Sequence, residues 1–265
     1  MADSHDKLIR TEFARQADTL AQGAVFNDAV ILDRIRKAAQ LGKHSRALDV
    51  ACGPGIVVEA LARDAGAVVG CDITPEMLAK AEQRCASAAL TNVRFVPGRA
   101  EALPFEDAEF DVVVSRSALH HFLDPAATIR EMARVLKSDG RMVTVDVMAS
   151  EDAAEAALHN ALEILRDPSH VRMLPRSELQ KHLANAGLRV ESCTTWVNHR
   201  EAGEWLKITN APERVGPLKI VMSELATRGA TAGIDLRVDG GRILFEHTAG
   251  LTVAIKEGKP AAAAF

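Results

Sequence analysis

Apolar residues recur along the chain at two spacings, which predict strands and helices in alternation. Short runs of β-branched residues bounded by turn residues predict buried strands at residues 46–51, 68–73, 93–96, 111–115, 141–147, 188–197 and 251–257. Because predicted helices separate most of these strands, we expect a mostly parallel α/β sheet that is covered on both faces.

Segments with an apolar residue every three or four positions predict helices at residues 7–22, 27–42, 56–65, 75–88, 125–140, 153–166 and 177–186, with a further helical stretch at 201–228. Two of these helices have clear start signals, Thr74 before Pro75 and Asp124 before Pro125. The Thr or Asp side chain can cap free amides, and Pro loses no hydrogen bond at the first helical position. The glycines within residues 239–241 predict a hairpin turn.

Composition and charge narrow the classes of function. Of the 265 residues, 48% are apolar, but no apolar run approaches the ~20 residues of a membrane helix. The net charge of −4, without a basic stripe, and the 4% aromatic content argue against nucleic acid as a partner. The polar N-terminus lacks a secretory pattern, and the four cysteines lack metal or disulfide spacing. We therefore expect a cytoplasmic protein without membrane insertion.

The segment LDVACGPG at residues 48–55 is a strand that runs into a Gly-rich turn and then a helix. Glycines let a ligand approach the backbone closely, and this end of a parallel strand is the expected ligand crevice. Val58 stands where a dinucleotide fold needs its third glycine, which argues against NAD. Asp72, at the end of the second strand, can accept both hydroxyls of a ribose. The alternatives are a purely structural turn and an Asp72 that only begins the next helix, although Thr74 already supplies a cap.

Five segments together resemble the class I S-adenosylmethionine-dependent methyltransferases, especially the branch related to the C-methyltransferases of ubiquinone and menaquinone biosynthesis. They are LDVACGPG from Leu48, GCDITPEML from Gly70, AEALPF from Ala100, FDVVVS from Phe110 and LHHFLDP from Leu119. The resemblance covers residues 46–148. It implies a Rossmann-like seven-stranded sheet with an antiparallel last strand, N-terminal helices and a helical substrate cap.

The resemblance also implies a set of cofactor residues: Asp49, Ala51, Cys52, Gly53, Gly55, Asp72, Ile73, Met77, Arg99, Ala100, Glu101 and Ser115. In this set the turn would hold the methionine moiety, Asp72 the ribose, and Met77 would pack against the adenine. The family usually has Asp where this chain has Arg99. An arginine cannot accept a hydrogen bond from the adenine amino group, but it could stack on the ring, and the Ala100 amide could still serve.

His120 and His121 are the candidate catalytic residues. One of them could line the crevice and act as a base, because imidazole titrates near neutral pH. Alternatively, they are surface residues or lie one layer behind the site. Neighbours in a helix point about 100° apart, so we expect only one to face the site, and we favour His121. Asp146, at the end of the fifth strand, either faces the substrate or starts a helix.

No metal is predicted, because His159, His170 and His199 include no pair at the short helical spacing of a zinc site. Each is expected to be a structural or surface residue.

The interpretation of the whole chain is one domain with four parts. Residues 1–42 form helices that either close over the cofactor or simply pack on the core, 43–150 bind the cofactor, 151–259 carry the cap and last strands, and 260–265 fray.

We expect methyl transfer from S-adenosylmethionine, with S-adenosylhomocysteine as product, to a small-molecule acceptor, with C- or O-methylation favoured. A cyclisation that uses the cofactor without methyl transfer, and a non-catalytic binding module, are the alternatives. A homodimer is possible.

Overall fold

One sheet carries all the strands of the computed structural model, which describes residues 2–24 and 26–258. Its parallel part consists of β1 (Arg46–Val50), β2 (Ala67–Asp72), β3 (Val93–Pro97), β4 (Phe110–Arg116) and β5 (Leu136–Val147). The remaining strands are β6 (Leu188–Glu201), β7 (Arg237–Asp239) and β8 (Arg242–Lys256). The spatial order is β3-β2-β1-β4-β5-β8-β6, and β7 pairs with β8 at the side.

The predicted sheet is confirmed in its main features. β8 runs antiparallel to both β5 and β6, so the mostly parallel sheet has one reversed strand in its path. Two details differ. β8 begins at Arg242 rather than near residue 251, and the short β7 adds an eighth strand through the hairpin turn at Gly240 and Gly241, which both have positive φ. The tail at 260–265 lies outside the described residues.

Helices flank the sheet: α1 (Ala2–Gln22), α2 (Ala29–Ala39), α3 (Ile56–Ala62), α4 (Pro75–Ser87), α5 (Pro125–Val135), α6 (Ala153–Arg166), α7 (Arg176–Asn185), α8 (Ala202–Trp205) and α9 (Pro212–Thr227). A single 3-10 turn covers Leu119–His121. Two separate apolar layers cover the faces of the sheet, and a third apolar cluster lies beneath α6, α8 and α9. No described helix combines the length and apolarity needed to cross a membrane.

Three local predictions need correction. Thr74 makes no side-chain capping bond, and its amide instead donates to Asp72. α5 ends at Val135 rather than near residue 140, because Leu136 already pairs with Phe110 in the sheet and is fully buried. The helical stretch at 201–228 is two helices, since Pro212 lacks an amide donor and opens a new one. Asp124 does cap α5, as predicted, by accepting from the Ala127 amide.

Candidate cofactor and acceptor site

The turn after β1 adopts the conformation that its glycines predict. Ala51, Gly53 and Gly55 all have positive φ, at 57°, 51° and 76°. The Gly53 amide donates to Asp72 Oδ2 at 2.8 Å, and the Thr74 amide donates to Asp72 Oδ1 at 2.8 Å. The Asp72 carboxylate therefore joins the ends of β1 and β2, which places the turn and the acid at one edge of the sheet.

A first cavity opens between this edge and α1. All predicted cofactor residues except two line it: Asp49, Ala51, Cys52, Gly53, Asp72, Ile73, Met77, Arg99, Ala100 and Glu101. α1 contributes Asp6, Ile9, Phe13 and Leu20 to the opposite wall. Most of the residues that the sequence assigns to one ligand thus surround a single cavity.

Gly55 and Ser115 do not line this cavity. A Cβ on Gly55 would lie 2.8 Å from the Ala81 Cβ, so this glycine allows α3 and α4 to pack closely. The Ser115 hydroxyl donates to the Val50 carbonyl at 3.0 Å and is buried between β1 and β4. Both residues shape the site from behind its wall.

Asp49 presents an unpartnered carboxyl oxygen in the cavity wall. It is 1% exposed, and its Oδ2 has no hydrogen-bond partner in the part of the chain that is described. Burial raises the pKa of Asp49 well above its usual value, the Asp72 carboxylate adds to this, and Arg116 opposes it. A cationic ligand group beside Asp49 would favour the ionised carboxylate.

Arg116 is a site residue that the sequence did not single out. It lies at the end of β4, lines the first cavity, and donates to the Phe26 carbonyl at 2.7 Å. The available sequence signal was a charged residue at the carboxyl end of a strand whose centre, residues 112–114, is apolar. Arg99, by contrast, was predicted as a site residue, and its guanidinium pairs with Asp6 of α1.

A second, larger cavity adjoins the first, with a volume of about 250 Å³ against about 140 Å³. The two share a wall formed by Phe13, Leu20, Phe26, Arg116, Ser117 and His121. The far wall comes from α6, β6 and β8 and includes Glu163, Arg166, Arg200 and His247. The sequence placed the acceptor region in the C-terminal part but identified none of these four residues.

His120 and Asp146 form a buried dyad in the second cavity. His120 Nδ1 lies 2.6 Å from Asp146 Oδ1, and Asp146 Oδ2 accepts from the Leu119 amide at 2.9 Å. Burial opposes the charged imidazole, but the charge and hydrogen bond of Asp146 outweigh it, so the pKa of His120 is raised from 6.5; Glu163 adds to the rise and Arg166 opposes it. Among the described residues, none accepts from or donates to His120 Nε2.

His121 has a different environment. Its Nδ1 lies 3.0 Å from the Ser169 carbonyl, and its ring packs edge-on against Phe13 with centroids 4.8 Å apart. Burial and the neighbouring His120 lower the pKa of His121 to about 4. The surroundings thus raise the pKa of His120 and lower the pKa of His121. His121 lines both cavities, whereas His120 lines the second.

The three other histidines that the sequence considered have different environments. His170 Nε2 donates to Asn160 Oδ1 at 2.9 Å, and burial lowers the pKa of His170 to about 3. His199 is exposed and lies 3.1 Å from Glu246. His159 is buried in α6, where burial lowers its pKa to about 4.

The strand order, the Gly-rich turn and the carboxylate at the end of β2 define the class of protein that the sequence resembles, the class I S-adenosylmethionine-dependent methyltransferases. A methyltransferase domain family matches residues 48–144. The uncharacterized methyltransferase YcgJ of Bacillus subtilis is 36% identical over 76% of this chain and 80% of its own length. The structural match with the crystal structure of YcgJ covers 86% of this chain and 98% of the YcgJ chain, with a TM-score of 0.81.

Two further relatives are named for their acceptors. A demethylmenaquinone methyltransferase of Staphylococcus carnosus is 36% identical over 43% of this chain and 47% of its own. The 27-O-demethylrifamycin SV methyltransferase of Amycolatopsis mediterranei is 32% identical over 71% of this chain and 69% of its own. The chain belongs to the S-adenosylmethionine-dependent methyltransferase family.

Proposed function

We propose that the chain transfers the methyl group of S-adenosylmethionine to an oxygen or carbon atom of a small molecule in the second cavity, with His120 as the base. One observation carries the proposal: the cavity lined by the predicted cofactor residues shares a wall with the cavity that holds the His120–Asp146 dyad. A methyl donor in the first cavity and an acceptor in the second would lie next to each other where the cavities adjoin, which is the arrangement that group transfer requires.

The first cavity suits the cofactor chemically. The unpartnered Asp49 Oδ2 can accept from the ammonium of the methionine moiety. The Asp72 carboxylate keeps lone pairs beyond its two amide bonds, which can accept from ribose hydroxyls. When bound, the cofactor supplies a methyl group that its sulfonium already activates. The protein then has to align the acceptor and exclude water.

His120 is better placed as the base than His121. If His120 Nδ1 donates to the Asp146 carboxylate, Nε2 carries the lone pair and can take a proton from an acceptor hydroxyl or acidic carbon. His121 Nδ1 is occupied by Ser169, and burial depresses the pKa of His121 to about 4, which makes it a weak base.

The roles of the parts of the chain follow from the same proposal. α1 lines both cavities and is tied to the core by the Asp6–Arg99 pair and to α9 by Glu12, whose carboxylate accepts from Arg214 at 2.9 Å. We therefore assign α1 as the lid, residues 43–150 as the cofactor part, and 151–259 as the source of the largest share of the acceptor wall. The relatives named for demethylmenaquinone and 27-O-demethylrifamycin SV support a small-molecule acceptor.

Calorimetry tests the proposed cofactor site. S-adenosylhomocysteine should bind the wild type, and Asp72→Asn should weaken binding at least tenfold, because the amide supplies one acceptor oxygen in place of two. Asp64→Asn is the matched control, since Asp64 pairs with Arg36 outside both cavities. Equal binding by the Asp72 variant, or preference for NAD in the wild type, would contradict the proposed cofactor site.

Turnover assays test the proposed methyl transfer to an acceptor. A panel of phenols, hydroquinones and other small acceptors is assayed for S-adenosylhomocysteine release, and His120→Gln is compared with the exposed control His199→Gln. General-base catalysis is worth about 10²–10⁴ in rate, so His120→Gln should lower kcat by that factor while S-adenosylhomocysteine affinity stays unchanged. Product formation without S-adenosylhomocysteine release would favour cyclisation, and an unchanged kcat would exclude His120 as the base.

A further inference from the structure

Three buried side chains converge at the far wall of the second cavity. His159 and Glu163 lie one turn apart on α6, and His247 comes from β8. Glu163 Oε1 lies 3.3 Å from His247 Nε2 and 3.8 Å from His159 Nε2, and one donor atom from each residue lies within 4.8 Å of the other two. Residues far apart in sequence thus present two imidazole nitrogens and one carboxylate oxygen to a common point.

The two imidazole nitrogens beside Glu163 lack well-aligned hydrogen bonds. The side chains of His159, Glu163 and His247 are only 3–5% exposed. Among the described residues, the buried His159 Nε2 has no hydrogen-bond partner, and the buried His247 Nε2 has only its 3.3 Å contact with Glu163 Oε1, whose angles are poor for a hydrogen bond. Buried polar groups in folded proteins are normally paired, so two orphaned nitrogens beside one carboxylate indicate a missing shared partner.

The donor chemistry restricts that partner. Two imidazoles and a carboxylate suit zinc and its neighbours among the divalent transition metals, whereas magnesium and calcium prefer oxygen ligands alone. Metal–ligand bonds of about 2.0–2.2 Å in tetrahedral geometry place the donors about 3.3–3.6 Å apart. The separations of 3.3 Å and 3.8 Å to Glu163 Oε1 already approach this value.

The surroundings hold the carboxylate in place. Arg166 donates from Nε to Glu163 Oε2 at 2.9 Å, which leaves Oε1 facing the histidines. Such outer contacts orient the ligands of metal sites. Arg200 also lies in this wall and adds positive charge, so an ion here needs the Glu163 carboxylate as a ligand. Glu163 and His247 line the second cavity, so the place where the three side chains converge is open to that cavity on one side.

We propose that His159, Glu163 and His247 form a binding site for a divalent transition-metal ion, zinc in the first instance, whose open coordination position faces the acceptor cavity. The proposal revises the prediction that no metal is bound. The signal available in the sequence was the spacing of His159 and Glu163 by four residues on a predicted helix; the third ligand lies too far along the chain to be associated with them.

The test uses the full chain, free of affinity tag and stripped of metal, titrated with Co²⁺ and followed by visible absorption. We expect one Co²⁺ per chain with ligand-field bands of a four- or five-coordinate site, and displacement by one Zn²⁺. His247→Gln and His159→Gln should each weaken Co²⁺ binding at least tenfold. His199→Gln, which removes an exposed histidine from β6, should leave binding unchanged.

S-adenosylhomocysteine affinity and thermal melting are measured on every variant, so that loss of fold is recognised independently of loss of metal. The cofactor measurement also keeps failure of the metal site distinct from failure of the proposed transferase function. Wild-type protein that takes up less than one tenth of an equivalent of Co²⁺ and of Zn²⁺, or folded His247→Gln protein with wild-type affinity, would overturn the proposal.

Discussion

Alanine at Gly53 and alanine at Gly55 should separate a ligand contact from a packing contact within one turn. Both glycines have positive φ, 51° and 76°. A Cβ on Gly55 would lie 2.8 Å from Ala81 Cβ and 2.9 Å from its Cα, whereas a Cβ on Gly53 would meet no atom within 4 Å. Because Gly53 lines the first cavity, its added methyl group would occupy space that the cofactor needs.

The magnitudes follow from these contacts. A left-handed backbone costs a residue with a Cβ about 1–2 kcal/mol, and overpacking against a fixed backbone adds about 1–3 kcal/mol. We therefore expect Gly53→Ala to lower the free energy of unfolding by about 1 kcal/mol, since reduced freedom of the unfolded chain offsets part of the strain. The same offset applies to Gly55→Ala, which should lower the free energy of unfolding by about 1–4 kcal/mol because its Cβ also overpacks Ala81.

Urea denaturation measures the free energy of unfolding, and calorimetry measures the affinity for S-adenosylhomocysteine. Gly53→Ala should weaken binding at least tenfold, while folded Gly55→Ala should bind within about threefold of the wild type, a difference of less than ~0.7 kcal/mol. If Gly55→Ala is no less stable than Gly53→Ala, the packing argument is wrong. If Gly53→Ala binds normally, the cofactor does not approach this side of the turn.

Three further outcomes are expected. Asp146→Asn removes the charge that raises the pKa of His120; since a base must be neutral to act, the acid limb of the kcat/KM profile should move to lower pH, and a limb that stays in place would refute the dyad. Phe13→Ala removes a ring that lines both cavities and packs on His121, so binding of S-adenosylhomocysteine should weaken about tenfold, the equivalent of ~1.4 kcal/mol; unchanged binding would leave α1 as ordinary packing. Leu48→Ala, at a fully buried position, should lower the free energy of unfolding by about 2–5 kcal/mol in urea, and a loss below 1 kcal/mol would contradict its place in the core.

Most of the residues that the sequence assigned to the cofactor line the first cavity, because this part of the structure is local. A turn and two strand ends position it, and the backbone conformation that the turn requires is visible as Gly53 and Gly55. What the sequence could not show is the side of the turn on which each residue lies. Gly55 and Ser115 stand among lining residues along the chain, yet they face α4 and β1 instead of the cavity.

The sequence did not predict the second cavity, because tertiary contacts assemble its wall. α1, α6 and β8 meet there from opposite ends of the chain, and no short pattern connects Phe13, Glu163 and His247. The early start of β8 was missed for a similar reason. Residues 242–250 alternate buried and partly exposed positions that include Glu246 and His247, and pairing with β6 and β7 makes them a strand despite their polarity.

The tertiary structure determines which of His120 and His121 contacts a carboxylate. The helical spacing predicted that only one of them faces the site, yet both rings line the second cavity with centroids 4.3 Å apart, and the spacing could not show which imidazole meets an acid. Asp146 lies at the end of β5, and its distance from His120 is set by the pairing of β5 with β4, which precedes the 3-10 turn. Because that pairing is parallel, both strands deliver their carboxyl ends to the same edge of the sheet. The dyad is therefore a consequence of sheet topology, and a shift of β5 by one residue would turn Asp146 to the opposite face and leave His120 without its carboxylate.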